Sequence, residues 1–392
     1  MKKILYIAYY FPPMNNGGTE RTKQFYNRLI DDGYEVDVVC GTLNKDKPHD
    51  NITYVSTLQN NINPLISLIL AAIEYLLRLF GFTVTLYTLW KKKSMKILKK
   101  RLKTTKYDLC IATYSPLEDL EIGLWIREKY NIPLISDFRD GLLFEPIEPF
   151  LRMASYRKKC KNVEIRCATL SNHIVTAAPQ ISQYFRNTYG VESVTTIMNG
   201  FDDDHPTNGI PLNLPRKGLV FLYTGGIDCS RLGLFDYAKN TLSFLFNTFP
   251  NDTFVFIGNY KDYEVSFFAD FPNVILINQQ PRDVVIATQK EADVLLAVTG
   301  NIECGTSGKL FEYLFANHPI LSIGINNNGN QIIQSTKTGK SFNADELNEI
   351  EKYVREIKEK SFVLGNVNKD LYTRRYQYHQ LKTIIESINK NL

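Results

Sequence analysis

Gly305, Thr306, Ser307 and Gly308 run directly into Lys309, and Glu312 follows about one helical turn later. A Gly/Thr/Ser loop that opens a helix presents backbone N–H groups and hydroxyls to a diphosphate. The positive end of the helix dipole adds to them, and Lys309 supplies a full cation. The Glu312 carboxylate suits the two hydroxyls of a ribose, the role acidic residues play in other nucleotide sites. The pattern is not the P-loop G-x-x-x-x-G-K-[ST], because Leu310 occupies its Ser/Thr position.

Three further groups have residue types suited to chemistry. Gly225-Gly226 makes a second glycine turn, with Arg231 following within reach of the same anion. Gly17-Gly18 stands at a helix start, where bare backbone approaches an anionic ligand or an acceptor, although a plain tight turn uses the same residues. In Ser136-Asp137-Phe138-Arg139-Asp140, two carboxylates flank a guanidinium. Such a trio orients a hydroxyl or stabilises developing charge, and it also makes a local salt bridge at a helix start.

Metal chemistry is not expected. Asp202-Asp203-Asp204 contains a D-x-D, but it opens a stretch of linker composition, and the five histidines are dispersed. No His, Cys and carboxylate cluster has metal-ligand spacing. The six cysteines are scattered without a C-x-x-C pair, as buried free thiols in a reducing compartment would be.

These groups need elements to hold them. The 392 residues exceed one comfortable core, and 44% hydrophobic with 22% charged residues is a globular composition. Apolar runs at 4–9, 34–40, 109–113, 133–136 and 173–177 read as strands separated by helical stretches, the first helix over 19–30. The start MKKILYIAYYFPP lacks a cleavage-site pattern and reads as a buried first strand rather than a signal peptide. A second series of strands follows at 219–223, 253–257, 274–277, 294–298 and 320–323. Between the series lies 202–217, rich in Asp, Pro, Asn and Gly. Alternating strands and helices predict two doubly wound α/β domains facing each other across a cleft, with ligands at the carboxyl ends of the strands.

One stretch departs from this scheme. Residues 62–90 are densely apolar, interrupted by Glu74 and Arg78, and Lys91, Lys92, Lys93, Lys96, Lys99, Lys100, Arg101, Lys103 and Lys106 follow without an acidic residue. The uninterrupted runs are short for a membrane span. An apolar helix followed by a polybasic one suits the surface of an anionic membrane, and it also describes a core helix followed by a solvated one. The net charge of +5 suits a phosphorylated partner or an anionic membrane. No nucleic-acid partner is expected.

The ordered set of motifs resembles the retaining GT-B glycosyltransferases called group 1 or family four, especially bacterial members with a D-F-R-D motif. The resembling pieces are 4–20 (strand, Pro-Pro, Gly-Gly, Glu20), 137–140, Met198-Asn199-Gly200-Phe201-Asp202, 223–226 and 309–314. The resemblance implies a GT-B fold of two Rossmann-like domains: an acceptor-side domain over 1–201, a linker over 202–217 and a nucleotide-sugar domain over 218–371. A helix over 372–392 would cross back to the first domain. It implies donor contacts from Gly17, Gly18, Gly225, Gly226, Arg231, Glu303, Thr306, Ser307, Gly308, Lys309 and Glu312, with Asp137, Arg139 and Asp140 positioning the acceptor.

In that family an arginine commonly adjoins the glycine, where this chain has Gly226. The first glutamate of the E-x7-E motif falls on Cys304, beside Glu303. The activity implied is sugar transfer from a nucleotide diphosphate sugar, a co-substrate rather than a cofactor, to a saccharide or lipid-linked saccharide. Retention of configuration, no metal and a cytoplasmic, membrane-surface location in surface polysaccharide synthesis go with it. The alternatives are a GT-B nucleotide-sugar epimerase and a non-catalytic scaffold.

Overall fold

The structure is a computed structural model that describes residues 2–14, 17–42, 51–56, 64–85, 87–144, 153–202, 208–227, 233–301, 303 and 308–390. The chain forms two compact units. One comprises Met1–Met198 with Tyr378–Leu392, and the other Asn199–Gln377.

In the first unit the elements run β1 (Lys3–Ile7), α1 (Gly17–Asp31), β2 (Glu35–Thr42), β3 (Ile52–Ser56), α2 (Pro64–Leu79), α3 (Thr88–Arg101) and β4 (Leu109–Tyr114). They continue with α4 (Leu117–Tyr130), β5 (Leu134–Phe138), α5 (Ala154–Leu170), β6 (His173–Thr176), α6 (Pro179–Tyr189) and β7 (Val194–Thr196). The strands form one parallel sheet in the order β3-β2-β1-β4-β5-β6-β7. Strand β1 lies between β2 and β4 with Ile4, Leu5, Tyr6 and Ile7 buried, as its β-branched and aromatic composition requires.

The second unit runs β8 (Val220–Thr224), α7 (Leu234–Thr248), β9 (Thr253–Ile257), α8 (Asp262–Ala269), β10 (Val274–Ile277) and α9 (Arg282–Gln289). After these come β11 (Val294–Val298), α10 (Gly308–Ala316), β12 (Ile320–Ile323), α11 (Asn328–Thr336), β13 (Gly339–Phe342) and α12 (Leu347–Lys358). Its sheet is also parallel, ordered β10-β9-β8-β11-β12-β13. Aromatic rings fill the core, where Phe221 stacks on Phe254 at 4.7 Å and Phe246 meets Phe254 edge-on at 4.9 Å.

Helix α13 (Arg374–Lys390) starts in the second unit, and from Tyr378 onward it belongs to the first. There Leu381, Ile384, Ile385 and Ile388 join the core with Phe25, Leu29 and Val36. Tyr378 donates to Asp32 at 2.6 Å, and Lys382 pairs with the same carboxylate at 3.0 Å. These contacts hold the Asp32 carboxyl below its ordinary range, with the Tyr378 hydrogen bond the largest cause.

The stretch of linker composition is tied to the second unit. Asp202 is buried against Arg374, Leu212 N–H donates to Thr288, and Arg216 pairs with Glu291. Asp203 and Asp204 lie outside the described residues. The described cysteines Cys40, Cys110, Cys160 and Cys167 are buried.

Candidate functional site

In each sheet the strand order reverses beside the first strand of its unit, between β1 and β4 and between β8 and β11. Ligands of open α/β sheets bind at the carboxyl ends of strands at such points.

In the second unit, the ends of β8, β9 and β10 and the first turn of α10 border an open cavity of about 380 Å³, a size usual for small-ligand sites. Gly225 and Gly226, which follow β8, line it together with Gly258, Asn259, Gln279, Gln280, Arg282, Lys309 and Glu312. Gly225 has a φ of +87°, a conformation that favours glycine, and a Cβ there would stand 2.4 Å from Lys309 Cε and displace the end of that side chain. The Lys309 ammonium donates to the Tyr223 hydroxyl and the Gly226 carbonyl, both at 3.2 Å, and lies 4.7 Å from the centre of the Tyr223 ring. It is thereby held at the mouth of the glycine turn, beside the N-terminus of α10.

Glu312, on the first turns of α10, accepts from Arg282 Nε at 3.0 Å and from Gln289 Nε2 at 3.5 Å. Gln289 is buried and also donates to Thr224 at 3.1 Å, which ties α9 to the end of β8. Two cations and one carboxylate therefore face a cavity whose remaining polar lining is carboxamide, backbone and the Thr224 hydroxyl. Anionic groups fit beside Lys309 and hydroxyls beside Glu312.

In the first unit, Asp137 at the end of β5 is 2% exposed. Its two oxygens accept from Arg21 Nη2 at 2.8 Å and Nε at 3.1 Å, and Thr113 donates to it at 2.9 Å. Arg21 also donates to the Ile197 carbonyl at 2.8 Å. Asp137 therefore lies inside the unit and does not face solvent; it positions α1 against β5 and the end of β7. Arg139 lies over Gly18, where a Cβ would fall 1.3 Å from its Nη1, and packs 5.2 Å from the Tyr10 ring centre. Asp140 is half-exposed and pairs with Arg139 at 3.5 Å. Burial pushes the Asp119 carboxyl well above the usual carboxylate range, and Asp119 accepts from Tyr9 N–H at 2.7 Å.

Gly225, Gly226, Lys309 and Glu312 thus come together in one cavity, whereas Glu303 is exposed and is not among its lining residues. Gly308 is the first residue of α10, and Gly17 the first of α1. Arg231, Cys304, Gly305, Thr306 and Ser307 lie outside the described residues. Arg21, Asn259, Gln279, Arg282 and Gln289 stand outside the motifs legible in the sequence. Four of these line or brace the cavity beyond β9 and β10, strands already legible in the sequence, so the loops and the helix beyond their carboxyl ends were the available signal.

The two parallel sheets with alternating helices are an α/β fold of the GT-B type. Residues 15–205 match the family described as Glycosyltransferase Family 4. Among solved structures, a sucrose-phosphate synthase from Thermosynechococcus elongatus is similar over the whole of both chains, with TM-score 0.72 and 13% identity. The HepE protein of Anabaena in complex with UDP is similar over 99% of this chain and 100% of that one, with TM-score 0.64 and 13% identity. A UDP-N-acetylglucosamine 2-epimerase from Listeria monocytogenes, described as putative, has TM-score 0.61 and 10% identity over 100% and 98% of the two chains. No match was found among curated proteins.

Proposed function

We propose that this protein is a glycosyltransferase that moves a sugar from a nucleoside diphosphate sugar, held in the second unit, to a saccharide or lipid-linked saccharide acceptor. The observation that carries the reading is the juxtaposition of Lys309, the Gly225-Gly226 turn and Glu312 around one cavity. As the bond from the sugar to the diphosphate breaks, negative charge gathers on the leaving group. Lys309 and the N-terminus of α10 stabilise that charge without moving. Retention of configuration, metal-free transfer, and work at the cytoplasmic face of an anionic membrane in surface polysaccharide synthesis complete the proposal. The match of residues 15–205 supports transfer over epimerisation.

In a panel of nucleotide sugars, at least one is expected to raise the melting temperature, since a ligand that binds only the folded state stabilises it. Transfer from that donor is expected to persist in excess EDTA. Loss of activity restored by Mg²⁺ or Mn²⁺ would overturn metal-free transfer, and epimerised donor as the product would overturn the transferase reading.

Glu312→Gln removes the charge from a carboxylate placed for ribose hydroxyls and held by Arg282. Hydrogen bonds to a charged group are worth about 1.5–3 kcal/mol each, so nucleotide affinity is expected to fall about ten-fold or more. Stability should move much less, because the pair with half-exposed Arg282 is worth about 0–1 kcal/mol. Calorimetric titration with nucleoside diphosphates, beside a melting curve, checks both. A lowered melting temperature with unchanged nucleotide affinity would make Glu312 a structural residue only.

A further inference from the structure

Helix α2 has its polarity inverted for a protein surrounded by water. Its acidic residue, Glu74, is 8% exposed, whereas Ile69, Ile73, Leu76 and Leu79 are 46–57% exposed. The helical period explains the pattern. Leu70, Glu74 and Leu77 share one stripe, the less exposed one, and Ile69, Ile73 and Leu76 share another, which is exposed. The apolar surface continues past the helix in Phe80, 79% exposed, and Phe82, 56% exposed. No charged residue breaks the outer stripe among the described side chains. A contiguous exposed apolar face marks a surface that meets something other than water.

The next helix indicates what it meets. Trp90, Ser94 and Leu98 turn α3 inward, and its outward stripe is Lys92, Lys96 and Lys99, with Lys103 just beyond, all exposed. No acidic residue lies between Thr88 and Lys106. An exposed apolar stripe followed by a stripe of lysines complements the acyl boundary and the anionic headgroups of one bilayer leaflet. At 16 residues, α2 is about 24 Å long, shorter than the roughly 30 Å hydrocarbon core. Among the described residues no helix is long and apolar enough to cross a membrane.

We infer that α2 and the turn after it are an interfacial insertion element. The Ile69–Ile73–Leu76–Phe80 face is immersed in an anionic leaflet, and the α3 lysines lie on its headgroups. This rests on the membrane part of the proposed function and deepens it. The apolar face supplies the insertion, and the lysines supply the preference for anionic lipid. An acceptor carried on a lipid would then be met at the surface that holds it.

The test uses the full chain, with no sugar donor and no acceptor, so its outcome is independent of whether the protein transfers sugar. Co-sedimentation is measured with vesicles of neutral phosphatidylcholine and with vesicles containing 30% phosphatidylserine, a share chosen as roughly that of an anionic leaflet. The parent is expected to favour the anionic vesicles and to release with salt. Leu76→Glu/Phe80→Glu is expected to lower partitioning about ten-fold or more, with an unchanged or raised melting temperature, because both side chains are already exposed. Lys92→Ser/Lys96→Ser/Lys99→Ser/Lys103→Ser is expected to reduce anionic binding about 10²–10³-fold and to weaken the lipid preference. Anionic binding undiminished in the Leu76/Phe80 variant overturns the insertion. Equal recovery of the parent on both vesicle types at low salt overturns the role of the lysines. A dimer that dissociates in the Leu76/Phe80 variant, without vesicle binding by the parent, would assign the face to a second copy and overturn the proposal.

Discussion

Lys309→Met is expected to lower sugar transfer about 10²–10³-fold, the scale on which loss of one preorganised stabiliser of transition-state charge slows an enzyme. Methionine keeps an unbranched stem over the Tyr223 ring and removes the ammonium that reaches Tyr223 and Gly226. The charge on a departing diphosphate is greater in the transition state than in the bound donor. The loss should therefore fall mainly on kcat, with a smaller change in KM. The cavity is an open one, and the two hydrogen bonds lost are partly exposed, so the melting temperature should drop by only a few degrees. Steady-state kinetics with the donor that stabilises the parent, beside a melting curve, gives both quantities. A kcat within about three-fold of the parent, less than 1 kcal/mol in barrier, would remove Lys309 from the chemistry and leave it a brace for the glycine turn.

Asp137→Ala is expected to destabilise the first unit by about 3–5 kcal/mol, because it leaves the Arg21 guanidinium buried without its partner. For a unit of this size that is a fall of roughly 10 °C in melting temperature. The double variant Arg21→Met/Asp137→Leu should recover most of the loss, since apolar groups of similar size often replace a buried pair without penalty. The double variant also separates two roles. If Asp137 only holds α1 to β5, transfer returns with stability. If its carboxylate contacts the acceptor, stability returns and transfer stays low. Thermal unfolding and initial rates for the two variants and the parent decide between these outcomes.

Much of the architecture was legible because its signals are local. The runs at 109–113, 253–257 and 294–298 are β-branched, aromatic or leucine-rich and short, and both faces of a parallel strand are buried, so the sequence of β4, β9 and β11 nearly spells their burial. Gly225 and Lys309 were legible for the same reason, as a glycine turn after a strand and a cation at a helix start.

The short strands β3, β7 and β13 are not legible in the sequence. The first two have half-exposed residues, and β13 is Gly-Lys-Ser-Phe, so none of them carries a buried apolar run. What makes them strands is the free edge of a neighbour, which supplies backbone partners whatever the side chains.

By itself the sequence determined which residue types stand at the ends of strands. Only the tertiary structure decided whom each one meets. Asp137 stands at the end of a strand, where an acceptor role suits it, and its carboxylate is bonded by Arg21, 116 residues earlier in the chain. Nothing in the spacing of either residue announces that pairing, because a hydrogen-bond partner is set by how α1 packs on the sheet rather than by periodicity. Glu312 stands on the first turns of its helix, and Arg282 and Gln289, which fix the carboxylate, come from α9 across the cavity. Helix α2 shows the same division. Its sequence says that it is apolar with one acid near the middle. Only the fold turns Glu74 inward and Leu76 outward, because rotation about the helix axis is fixed by the surface the helix packs on and not by its own composition.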